Sequence, residues 1–287
     1  AEANRSFEEK HDYFKKAIAQ YGRYLQEARG RIGEEERCTI LYENGSLCAS
    51  LGRDAATSME GTADEQERKD YKKGAIEWFG KAVGDLEVSG KFFAQLRDSL
   101  FKSAQTREDK IRLREVREKA GEVLFEWGKA LYDSSQVYDP KAEAAARTDR
   151  LKAAIAIFEG IAEHYSLFDL RYKAYRYIGL CYRGMAQYDK AVEFLQKAAD
   201  VQRIPDTVWI IRLARYNLAQ TYNDWGQYDR GDVSADSLIS EVYPEMAARG
   251  DEDPDLIDVY FAAWLEKGRA LVGNSVDLMK KAAEAEK

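Results

Sequence analysis

Apolar residues recur along the chain at three- and four-residue steps. After Phe7 come Tyr13, Phe14, Ile18, Tyr21 and Leu25. These fall on one side of an α-helix, because successive side chains turn through about 100°. The same stripe runs through residues 40–51, 71–83, 92–101, 111–131, 151–161, 172–182, 191–201, 208–222, 233–242, 256–271 and 276–283. The pattern predicts about twelve helices. No stretch alternates apolar and polar β-branched residues, and Asn44-Gly45 lies inside a helical pattern rather than between two strands. The prolines, Pro140, Pro205, Pro244 and Pro254, fall where the periodicity breaks, which places them between helices. The fold class is all-α.

The helices repeat. Ile178-Gly179-Leu180-Cys181-Tyr182 is followed, four residues on, by Gln187-Tyr188-Asp189-Lys190-Ala191. Leu218-Ala219-Gln220-Thr221-Tyr222 stands forty residues later, with Gln227-Tyr228-Asp229-Arg230-Gly231 after the same gap. Small residues at 179 and 219, matched by small residues at 191 and 231, suit two helices in close approach. Tyr182 and Tyr222 fill the space between them, and Tyr188 and Tyr228 sit at the turns. One hairpin alone cannot bury its apolar face, so neighbours must stack.

This unit resembles the tetratricopeptide repeat (TPR). The match is carried by Tyr175, Ile178, Gly179 and Tyr182 in helix A, then Ala191, Leu195 and Ala198 in helix B, with Pro205 after it. The next unit has Leu218, Ala219, Tyr222, Gly231, Ala235 and Leu238, with Arg215 in place of the first aromatic residue. Ala75, Phe79 and Ala82 carry a helix B signature, as do Ala154, Phe158 and Ile161. Their helix A partners are Leu41, Gly45 and Cys48 in one case, and Leu124, Trp127, Gly128 and Leu131 in the other. These two pairs have longer spacings, which predict extended hairpin tips at about 52–69 and 133–148. The resemblance implies a right-handed superhelical array of antiparallel helix pairs with a concave inner surface.

The expected organisation is then as follows. Residues 1–36 form an N-terminal amphipathic helix. Residues 37–116 form a degenerate pair with a long tip plus an extra helix, and 117–170 a second pair with a long tip. Residues 171–243 hold two well-formed units, and 244–287 a degenerate C-terminal capping pair.

Charge and composition narrow the function. The 44 basic and 51 acidic residues give a net charge of -7, and the basic residues are interleaved with acidic ones, as in 107–119. That is a solvated helix face rather than a nucleic-acid footprint, and no DNA-reading helix-turn-helix stands out. No apolar run reaches the roughly 20 residues of a membrane span. The 2 histidines, His11 and His164, have no metal-ligand spacing around them. The sequence has no nucleophile elbow, phosphate loop or dinucleotide fingerprint. The acidic run 250–255 lacks calcium-loop spacing and reads as the start of a helix at Pro254. No cofactor, metal or catalytic residue is expected.

Cys38 and Cys48 are ten residues apart on one predicted helix, about 15 Å, too far to bridge. The cysteines read as small buried thiols. The chain opens at Ala1 rather than methionine, which fits a processed chain or a piece of a longer one, cytoplasmic or exported.

What the resemblance implies is partner binding. Inner-surface positions of helix A would place Lys129, Lys173, Arg176, Arg183, Tyr216, Gln220 and Asn223 in a groove. Its lysines and arginines suit an acidic peptide segment or a free carboxylate. The family's chaperone-tail clamp is not reproduced, because Leu180 stands where an amide is required. The expectation is a non-catalytic scaffold that holds an extended peptide or a helix of another protein. The alternative is a structural subunit of a larger or self-associating assembly, with contacts through its ends and hairpin tips.

Overall fold

A computed structural model describes residues 2–165, 168–249 and 253–285. Among the described residues there are ten α-helices and no strand. They are α1 (Glu2–Glu27), α2 (Glu34–Gly61), α3 (Glu65–Ser103), α4 (Arg107–Gln136), α5 (Ala144–His164), α6 (Phe168–Gly184), α7 (Tyr188–Ala199), α8 (Pro205–Asp224), α9 (Tyr228–Arg249) and α10 (Pro254–Ala285). The helices pack consecutively into two compact units, Ala1–Tyr165 and Ser166–Lys287.

In the first unit, α2 pairs with α3 and α4 with α5, while α1 rests on α2. Polar side chains fix the helix starts. Asp64 accepts the backbone N–H groups of Gln66 and Glu67 at the head of α3, at 2.9 and 2.8 Å. Thr106 and Asp109 form a reciprocal capping box at the head of α4. The small residues of the repeat sit where the helices touch. A Cβ on Gly45 would lie 2.8 Å from Leu86 Cγ, and one on Gly128 would lie 2.8 Å from Phe158 Cζ.

Three expectations are corrected here. The segment 52–69 is not a long tip: α2 stays helical to Gly61 and α3 begins at Glu65. Ala55, Ala56 and Met59 pack with Ala75, Phe79 and Val137, so the extra residues lengthen both helices and their shared core. The segment 133–148 is likewise mostly helical, with a connection at 137–143 where Asp139 accepts the N–H groups of Lys141 and Ala142. The extra helix at 92–101 is the second half of α3. Ser89-Gly90 does not interrupt it, because the Ser89 hydroxyl donates to the Cys38 carbonyl at 2.7 Å and Gly90 faces Leu124 and Trp127.

The second unit pairs α6 with α7 and α8 with α9, and α10 packs on α8 and α9. A Cβ on Gly179 would fall 2.6 Å from Leu195 Cγ and 3.1 Å from the Ala191 carbonyl. A Cβ on Gly231 would fall 2.1 Å from Asn223 Oδ1. Both turns use a left-handed residue, Ala186 at φ 56° and Gly226 at φ 77°. Each turn tyrosine is covered by the following helix A. Tyr188 stacks on Trp225 at 6.1 Å, and a Cβ on Gly273 would lie 2.4 Å from the Tyr228 ring.

The expected capping pair at 244–287 is also corrected: 254–285 is one continuous helix, and Pro244 lies inside α9 rather than between helices. Glu241 and Glu245 on either side of Pro244 both bind Arg212 of α8, which holds α9 together across the missing N–H. Pro205 and Pro254 open α8 and α10, and Pro140 lies in the connection between α4 and α5. In the acidic run 250–255, residues 250–252 lie outside the described residues. Asp253 accepts the Leu256 N–H at 3.2 Å and so caps α10.

Candidate partner-binding surface

Helices α6, α8 and α10 lie side by side, and polar side chains join them. Arg176 Nε donates to Asn217 Oδ1 at 2.8 Å. Seven residues on, Arg183 donates to Asp224 Oδ2 at 2.7 Å and to Gln220 Oε1 at 2.6 Å. Gln220 Nε2 donates to the Tyr216 hydroxyl at 2.7 Å. On the other side of α8, the Asn223 amide donates to the Glu266 carbonyl at 2.9 Å and to its carboxylate at 3.0 Å. Arg269 bridges Glu266 and Asp224, at 2.9 and 3.0 Å. Glu266 is only 2% exposed, and these donors compensate its burial.

Five of the residues expected in a groove therefore meet in one seam: Arg176, Arg183, Tyr216, Gln220 and Asn223. Lys173, half-exposed, pairs instead with Asp169 of its own helix at 2.8 Å. Lys129 belongs to α4 in the first unit, where its charge favours the ionised form of Asp133. Burial outweighs that effect and the Arg53 guanidinium 3.2 Å away, and pushes the Asp133 carboxyl above the usual range.

Asp224, the inner-surface position next to Asn223, joins the seam, as do Glu266 and Arg269, which the sequence did not single out. The signal for α10 was present: Trp264, Gly268 and Leu271 repeat the spacing of Tyr175, Gly179 and Tyr182. Of the seam's ionised groups, Arg176, Arg183 and Arg269 stand against Asp224 and Glu266, so 3 − 2 leaves one positive charge. Arg176 carries it most openly, since its bonded partner is the neutral Asn217 amide. Burial, with Glu266 nearby, raises the pKa of Tyr216 above the usual phenol range, so its hydroxyl keeps its proton at neutral pH.

A second network ties α8 to α9 away from this seam. Arg212 is 4% exposed and binds Glu241 and Glu245, while Arg203 and Arg215 also reach Glu241. The Arg212 guanidinium holds Glu245 below the usual glutamate range.

Among the described residues no His, Cys, Asp and Glu side chains gather as a metal-ligand set, and no helix is long and apolar enough to cross a membrane. Cys38, Cys48 and Cys181 are free and buried. Burial pushes the Cys38 thiol up to about 11 and the Cys48 thiol up to about 12, with Cys181 raised further, so all three are protonated at neutral pH.

No protein-family model matches the chain, and no curated protein does. Among solved structures, an assembly chaperone of RpL4 (Acl4), residues 1–338, is similar at 14% identity and a TM-score of 0.43, over 96% of this chain and 99% of that one. A STAND protein with a tetratricopeptide repeat sensor from Pyrococcus horikoshii shares 17% identity at a TM-score of 0.30, over 95% of this chain and 41% of its own. A computationally designed self-assembling cyclic homooligomer shares 15% identity at 0.26, over 93% and 96%.

Proposed function

We infer that this chain is a non-catalytic scaffold that binds an extended segment of a partner protein along the α6–α8–α10 seam. The observation that carries the reading is the seam itself: amides, a phenol and guanidinium groups on three alternate helices, held in fixed orientations by one another. Side chains ordered beforehand lose less entropy on binding, so such a row suits a polar peptide backbone. The surplus positive charge at Arg176 favours a carboxylate in the partner, from an acidic side chain or a chain end. Lys173, one turn before it, adds a second base at the same end of α6. Arg183, Gln220 and Asn223 hold the three helices in register, and Gln220 fixes the Tyr216 hydroxyl, whose proton is left for the ligand.

Selection from a displayed library of random peptides tests this. Selected binders should carry acidic residues and lose at least tenfold in affinity to Arg176→Glu, with helicity and melting temperature unchanged. Binders equally tight on that variant would remove the seam from the site. Arg183→Glu is the poorer variant, because it would place two carboxylates together at Asp224 and disturb the fold.

A further inference from the structure

Helix α10 has two apolar faces. Leu256, Val259, Ala263 and Ala270 are buried within the second unit. On the other side Phe261, Trp264, Leu265, Val272, Val276 and Met279 are 40–65% exposed. At 100° per residue these six fall within an arc of about 120° opposite the buried face. Gly268 lies on the same arc, and a Cβ there would meet nothing within 4 Å. Its counterparts on the earlier A helices are covered: Gly179 lies against Leu195, and Ala219 is 1% exposed. In the repeat, that face receives a helix B. No described helix occupies it on α10.

The exposed stripe amounts to roughly 700 Å² of apolar surface, above the 300–600 Å² that is typical of the largest patch on a soluble monomer. The start of α10 is acidic and its end carries both signs. Asp255 and Asp258 are exposed near its start; near its end Lys280, 3.6 Å from Asp277, and Lys281 are exposed, with Glu284 after them. The acidic start complements Lys280 of an antiparallel copy, and the helix dipoles favour the same arrangement. Setting Asp258 beside Lys280 of the copy puts the midpoint at residue 269, since (258 + 280)/2 = 269. Gly268 then lies at the crossing, where a small residue allows close approach. Phe261 and Leu265 face the Val272–Met279 end of the other helix. Burying most of both stripes removes roughly 1,200–1,400 Å² from water, the lower end of the range for a specific interface.

We propose that α10 is a dimerisation surface whose occupant is a second copy of this chain. The two α10 helices pair antiparallel about a twofold axis near Gly268, each supplying the helix the other lacks. The proposal is independent of the groove reading.

Sedimentation equilibrium of the full 287-residue chain between about 1 and 200 µM tests it. The mass should rise from 32.7 kDa toward 2 × 32.7 = 65.4 kDa. Leu265→Glu with Val272→Glu, both at exposed positions, should stay monomeric with unchanged helicity. Asp258→Lys alone and Lys280→Asp alone should each weaken the dimer about 3–10-fold, and the two together should restore it to within about twofold. A monomer at every concentration overturns the proposal, whatever other helix the face then takes. A dimer indifferent to the Glu pair overturns it by placing the contact elsewhere. Charge variants that fail to rescue one another overturn the antiparallel register.

Discussion

Gly179 and Gly268 occupy the same place in two A helices, yet one is covered and the other open. Replacing each by alanine therefore isolates the packing term. Alanine is favoured over glycine in a helix interior by about 1 kcal/mol, and this gain applies at both sites. At Gly268 nothing lies within 4 Å of the new methyl, so the substitution should stabilise by about 1 kcal/mol. At Gly179 the methyl would sit 2.6 Å from Leu195 Cγ and 3.1 Å from the Ala191 carbonyl. The Leu195 side chain is fully buried, and the carbonyl belongs to the backbone of α7. Neither yields without separating α6 from α7. Overpacking of that kind costs about 1–3 kcal/mol, which cancels or reverses the helix gain. The two variants should then differ by about 1–3 kcal/mol, with Gly179→Ala the weaker. Urea unfolding followed by helical ellipticity, in dilute solution where α10 is unpaired, reads this directly. Equal stability of the two variants, or a more stable Gly179→Ala, would refute the assignment of Gly179 to the A/B contact.

Other expectations rest on single contacts. Arg212→Ala leaves Glu241 with Arg203 and Arg215 and Glu245 with Arg249, and should cost about 1–3 kcal/mol in the same unfolding experiment. Arg212 also holds the Glu245 pKa down, so that contribution is complete above the unfolded glutamate value and is lost as pH falls through the lowered native one; Arg212→Ala should flatten this part of the pH–stability curve. Asp133 has the opposite sign. Its carboxyl is raised by burial, so stability falls as pH rises from the usual aspartate range through the raised native value, and Asp133→Asn should remove that slope. Ala186 takes a left-handed conformation where its counterpart is Gly226, so Ala186→Gly should stabilise by about 0.5–1 kcal/mol, measured by thermal melting.

The helix pairs were legible because close packing writes itself into the sequence. Gly45, Gly128 and Gly179 each stand where a side chain would strike Leu86, Phe158 or Leu195. Helix length was less legible. A longer spacing between Gly45 and Ala75 is the same whether the extra residues form a loop or added turns. Only the burial of Ala55 against Ala75 and Phe79 decides for added turns. The stripes at 71–83 and 92–101 read as two helices, and Ser89-Gly90 lies between them. The Cys38 carbonyl and the Trp127 ring, neither nearby in sequence, give both residues a packing role. The seam was half visible. The polar residues on α6 and α8 could be placed on one face, but their partners lie on the next helix A, 41 residues on for Arg176 and Arg183 and 43 for Asn223. Glu266 and Arg269 were hidden because 254–285 was read as two short helices instead of one that carries a helix A signature.

The second unit is held by two kinds of bond that point in different directions. Within each hairpin the contacts are apolar and tight, as at Gly179 and Leu195. Between successive A helices, hydrogen bonds and ion pairs such as Arg183–Asp224 run across the exposed edge. Apolar contact also joins one hairpin to the next, where Val192, Leu195 and Ala198 of α7 pack on Ala214, Leu218 and Tyr222 of α8. Added salt should weaken the ion pairs between the A helices more than the apolar contacts beneath them, because it screens charge. The response of this unit to ionic strength should therefore be confined to its polar edge, with the apolar core between the hairpins unchanged.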